Sequence, residues 1–143
     1  MSDAAVAHFR ALVDERFRFL DGCGIRRSPG EEHDSPSGAS VVYAGKHVGF
    51  VISYDVRDAQ VDVRVARVRD GRLAGIGEAG HPRDLLGHLV EHAGYRGGGS
   101  RGKAATAEDE WGPLERMVGW WADLLRVHGA ALLADTPDAL PEG

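Results

Sequence analysis

"VVYAGKHVGFVISYDVRDAQVDVRVARVRDG", Val41 to Gly71, decides the fold class of this chain. Val48, Phe50, Ile52 and Tyr54 alternate with Gly49, Val51 and Ser53, and Val61, Val63 and Val65 alternate with Asp62 and Arg64. A period of two sends successive side chains to opposite faces of a strand, so one face enters a core and the other meets water. The separators "AGKH" and "DVRDAQ" are short enough to join antiparallel neighbours, and Asp70-Gly71 suits a two-residue hairpin turn into a weak fourth strand. The stretch predicts an antiparallel meander of three or four strands.

Upstream, Val6, Phe9, Val13, Phe17 and Leu20 recur at steps of three and four, which puts them on one face of an N-terminal helix stopped by Gly22 and Gly24. Downstream, Pro82 suits a first helical turn ahead of Leu85, Leu86, Leu89 and Val90, a short helix ending near Gly94. A last helix carries Leu114, Val118, Trp121, Leu125 and Leu132 on its apolar face. Thr106 can cap it, with Glu108, Asp109 and Glu110 suiting the dipole of its first turn, and Pro113 either kinks it or marks its true start. The expected architecture is α+β: an N-terminal helix, a three- or four-stranded antiparallel meander, and two C-terminal helices packed on one sheet face. A single domain over residues 1–143 accommodates it, with flexible loops near 26–39, where "RRSPGEEHDSPSG" lies, and near 95–105.

A hydrophobic share of 43% and a charged share of 27% match soluble globular averages, which excludes a disordered or fibrous class. Net charge is −5, and residues 104–143 hold eight acidic side chains against two basic ones. That balance speaks against a nucleic-acid binder held by phosphate contacts, and an acidic surface of this kind could meet a basic partner protein. Cys23 is the only cysteine, so no intramolecular disulfide forms; the expected compartment is reducing and cytoplasmic. The first residues, with Asp3 and Asp14, do not read as a signal peptide, and no apolar run approaches the roughly 20 residues of a membrane span.

Three motifs invite a chemical reading. Gly97, Gly102 and Lys103 in "RGGGSRGKAAT" stand at the spacing of a phosphate-binding loop, but a helical segment precedes them and Ala104 replaces the hydroxyl that would hold magnesium. "HLVEH", His88 to His92, matches the H-x-x-E-H core of the inverzincin peptidases. Residues four apart lie on one helical face, so both imidazoles can reach one zinc ion, with Glu91 to activate water and His81 or His128 to join. The plainer alternative puts His88 and His92 on a polar face opposite Leu85, Leu86, Leu89 and Val90. Cys23 has no nucleophile signature around it, and Asp55, Asp58 and Asp62 sit where turns select aspartate for backbone reasons.

Trp120 and Trp121 point about 100° apart on a helix and cannot share a narrow stripe. Trp121 belongs with Leu114, Val118 and Leu125. Trp120 lies at the edge with Met117 and Leu124, where it buries against the sheet, a second copy of the chain or a partner. The order of helix "FRALVDERFRFL", strands "VVYAGKHVGFVISYD" and "VDVRVARVRDG", and closing helix "LLRVHGAALL" resembles small bacterial α+β proteins of the toxin-immunity type. The resemblance is one of pattern over most of the chain and carries over no functional residue. It implies a compact α+β protein that works by binding another protein. The residues themselves offer a non-enzymatic protein that neutralises or modulates a partner protein, with the acidic last helix, Glu115, Trp120 and Asp123 as the expected surface and Arg64 on the sheet as a second choice. The last helix could also join two copies as a homodimer. The alternative is a small metal-dependent enzyme built on His88, Glu91 and His92, with zinc as its cofactor.

Overall fold

The computed structural model describes residues 3–75, 78–96 and 112–140. Helix α1 (Asp3–Arg16) and the single turn α2 (Phe19–Gly22) lead to β1 (Arg26–Arg27), a 3-10 turn at Pro29–Glu31 and β2 (Asp34–Ser35). The long strands β3 (Gly38–Ala44), β4 (Val48–Asp55) and β5 (Gln60–Arg69) follow, then β6 (Arg72–Leu73) and β7 (Arg83–Asp84). Helices α3 (Leu85–His92), α4 (Gly112–His128) and α5 (Ala130–Leu133) complete the described chain. Among the described residues no helix is long and apolar enough to cross a membrane.

The sheet runs β1-β3-β4-β5-β6, with β2 also on β3 and β7 also on β5, and every pairing is antiparallel. The meander is therefore present, but it sits in a seven-stranded sheet rather than one of three or four strands. The weak fourth strand is β6, and the three strands beyond the expected four, β1, β2 and β7, are two residues long, too short for alternation to reveal them. The Asp70-Gly71 turn has φ of +54° and +79°, the sign a two-residue type I′ hairpin needs at both positions.

Register stacks Val41, Ile52 and Val63 in one row and Tyr43, Phe50 and Val65 in the next, all buried beneath the helices. Phe9, Val13 and Phe17 of α1 and Leu114, Val118, Trp121 and Leu125 of α4 close over them, as their spacing requires. Trp121 is fully buried, and its indole Nε1 donates to the Val61 carbonyl at 2.8 Å. Arg67 N donates to the Gly80 carbonyl, which adds to the cover that β6 and β7 give the β5 edge away from β4.

A strap lies against the other side of the sheet. Residues 26–35 run along β3, where Ser28 N donates to the Val42 carbonyl, Ser40 N to the His33 carbonyl, and Val42 N to the Glu32 carboxylate at 3.2 Å. Arg27 pairs with both Glu32 and Asp14, and Arg10 with Glu32 and Asp34, tying the strap to α1. The Glu32 hydrogen bond raises the Arg27 pKa above its ordinary value; burial raises that of Tyr43, helped by the nearby Asp14 carboxylate. Glu31 accepts from Leu73 N at 2.8 Å, so the strap and the β5–β6 turn hold each other over Val42 and Ala66.

One long-range latch joins the C-terminal tail to the sheet. Both oxygens of Asp135 accept main-chain N–H groups of the β3–β4 turn: Lys46 and His47 at 2.7 Å and Val48 at 2.8 Å. Asp135 has φ of +54°, a left-handed conformation aspartate tolerates, and a Cβ at Gly45 would stand 2.6 Å from its carboxylate. Asp135→Ala leaves three donors without their acceptor and is expected to destabilise the fold by about 2–3 kcal/mol. Thermal unfolding reads this directly; a loss near zero would mean that water replaces the carboxylate without cost. Trp121→Phe keeps the packing but removes the bond to Val61, with an expected cost of about 1–2 kcal/mol in the same assay.

Candidate functional site

Helix α4 turns Leu114, Met117, Val118, Trp121, Ala122, Leu124 and Leu125 inward. Trp120 lies at the boundary, partly buried against the core and in edge contact with Trp121, with ring centroids 5.0 Å apart. Seven residues make almost two full turns, so Val127 stands on the same stripe, and it is 63% exposed. Glu115 and Asp123 are both exposed on this helix. Glu115 comes within 3.8 Å of His8, and Asp123 accepts from Arg126 at 2.9 Å. Asp123 lies about 60° around the helix from Trp120 and Val127 about 20°, whereas Glu115 lies about 140° away, at the border that meets His8 of α1.

Arg64 is not part of that surface. It is exposed on the opposite face of the sheet, in register with Val51 of β4 and Asp84 of β7. There Ser40, Ser53 and Asp62 fall in one row across three strands and help to line an open groove of about 330 Å³, walled by His33, Ser35 and Ser37. Sequence alternation indicated that this face is polar; the wall comes from β2, which has no pattern of its own. Asp55 at its end accepts from Arg57 N at 2.9 Å and Asp58 N at 3.3 Å, the turn-forming role expected of it.

His88 takes a different position from the polar face the helical pattern allowed, while His92 stays exposed. In α3, Leu85, His88 and Leu89 are buried while Val90 is 52% exposed, so the inward stripe runs through position 88 and Val90 points to solvent. The reason is the i, i+3, i+4 relation of residues 85, 88 and 89, which directs all three inward once Leu85 and Leu89 pack into the core. The His88 and His92 rings lie 4.7 Å apart and share a cavity of about 380 Å³ with His128, Thr136 and Asp138. His128 joins this cavity and His81 does not. Glu91 is exposed and reaches His92 at 3.4 Å. Among the described residues no group of three His, Cys, Asp or Glu side chains is placed to hold a metal ion.

No family model, curated protein or solved structure matches the chain. Its site is therefore read from its own residues. The glycine-rich segment with Lys103, and Thr106 as a cap, lie outside the described residues. Cys23 is a half-buried free thiol beside the core.

Burial lowers the His88 pKa from 6.5, and the neighbouring His92 and Arg83 push the same way against Glu91. The folded state then prefers the neutral imidazole, so its contribution is complete above the unfolded pKa and is lost as pH falls from about 6.5 through the folded value. The melting temperature is expected to fall on acidification from neutral pH, and to fall less steeply in His88→Gln. An equal slope in the two proteins would remove His88 from the acid response.

Proposed function

We propose that this chain is a non-enzymatic protein-binding module whose outer α4 surface docks a partner protein and neutralises or modulates it. The observation that carries the reading is the Trp120–Val127 stripe: an indole partly held by the core and an exposed valine on the same helix side. An aromatic ring already restrained by its own fold loses little freedom on docking, which is why such residues dominate interface energetics. Exposed Asp123 beside it, on a chain of net charge −5, suits a partner with an apolar pocket rimmed by basic side chains, and Glu115 extends the acidic surface toward α1. The toxin-immunity resemblance suggests a partner enzyme whose activity the contact blocks.

The enzyme alternative draws less support from the site. Glu91, its expected base, is paired with His92 at the exposed side of α3.

Affinity capture on immobilised protein, read by mass spectrometry, tests the reading with three variants. One stoichiometric partner is expected for the wild type, lost in Val127→Glu and weakened at least tenfold in Trp120→Ala, while Arg64→Glu retains it. Val127 is exposed, so its variant leaves the fold intact. Retention in Val127→Glu with loss in Arg64→Glu would move the interface to the open sheet face. A wild-type dimer made monomeric by Val127→Glu would assign the stripe to a second copy of the chain.

A further inference from the structure

We propose that α3 is an acid-sensitive latch: as pH falls, uptake of a proton by His88 lets this helix leave the core while the sheet stays folded. The device lies apart from the Trp120 stripe and does not depend on the protein-binding reading.

α3 has eight residues, fewer than the roughly 12–15 that an isolated helix needs for even marginal stability in water. It stays helical because of what it buries. Its buried side chains are Leu85, His88 and Leu89, while Leu86 is partly buried and Val90 is exposed. Its N-terminal tie to the sheet is β7, two residues in register with Arg64 and Val65 of β5. Three side chains thus anchor the helix, and one of the three can take up a proton.

The surroundings hold His88 neutral. It is 7% exposed, and its Nδ1 is buried without a hydrogen-bond partner among the described residues, whereas an imidazolium has two N–H groups to place. On α3 itself the His92 ring lies 4.7 Å away, and Glu91 is exposed, 3.4 Å from His92. Arg83 of β7 lines a second groove with His88, and the Asp84 carboxylate there is committed to Gly87 N at 3.1 Å. His128 of α4 and Asp138 of the tail share the His88 cavity. Of the basic residues on β5, Arg67 donates to the Pro137 and Leu140 carbonyls, and Arg64 stands on the far sheet face. Burial disfavours a proton on His88, His92 and Arg83 repel it, and the pull of Glu91 does not offset them.

When α3 leaves the core, His88 returns to water and to its ordinary pKa of 6.5. The closed form keeps the neutral ring and the released form takes the proton, so release is favoured as pH falls below 6.5 and is unassisted above it. With the closed ring neutral throughout, the opening constant rises about fourfold from pH 7.5 to 6 and about thirtyfold from pH 7.5 to 5. Release bares Leu85 and Leu89, together with Leu132 of the same cavity, so acid makes available an apolar patch that neutral pH keeps closed.

Amide hydrogen exchange of the full chain, followed residue by residue by NMR from about pH 7.5 to about pH 5 and corrected for intrinsic rates, tests the latch. Amides of α3 are expected to open with a constant at least about tenfold above that of β4 amides at each pH, and that constant to rise about thirtyfold on acidification. His88→Leu keeps an apolar anchor without a titrating ring, and its rise is expected to stay below about threefold. Where that variant does not fold, His92→Gln carries the test: its side chain is 43% exposed, and removing this repulsion makes the rise smaller. One opening constant shared by α3 and β4 amides at acid pH, or a rise undiminished in these variants, would overturn the latch.

Discussion

A sheet of this kind needs a helical layer on its apolar face, and the Trp121 side chain is where that layer is joined to it. Its ring fills the space above Val61, Val63 and their neighbours, and its N–H meets the Val61 carbonyl on the side of β5 away from β4. Packing alone would let α4 slide along the sheet, because dispersion forces have little direction. A buried hydrogen bond to a main-chain atom fixes its position along β5 and its rotation about its own axis. That rotation is what leaves Trp120 at the boundary and Val127 in solvent.

Both flanks of the long strands are closed by similar means. The β3 edge is covered by main-chain bonds from the 26–35 strap and by the Glu32 carboxylate; β5 is covered by β6, β7 and the Trp121 indole. Short pairings and side-chain caps occupy edge groups without offering a long template for another strand. Recognition by strand addition is correspondingly disfavoured at the described edges.

The long strands, the core side of α1 and the division of labour between Trp120 and Trp121 were legible because each depends on a period of two or 3.6 within a dozen residues. The remaining strands were not, since Arg26–Arg27 or Arg83–Asp84 pair only because distant β3 and β5 offer them an edge. In α3 two apolar stripes competed: Leu86 and Val90 on one side, Leu85 and Leu89 on the other. Which one faced inward was settled by packing on β5, and that choice carried His88 into the interior. His128 shares the cavity only through the way α4 ends beside α3. Arg64 and Trp120 could both be named as surface residues, but their placement on opposite sides of the molecule depends on which sheet face the helices cover.

The Asp135 latch joins positions separated by 87 to 89 residues, among the longest sequence spans in the structure. Closing such a span costs chain entropy before any bond repays it, so contacts of this kind form late in folding. The β3–β4 hairpin is local and can assemble early, with its turn donors still hydrated. Capture of that turn by Asp135 makes the local hairpin part of a closed circuit that runs from the centre of the sheet to residue 135.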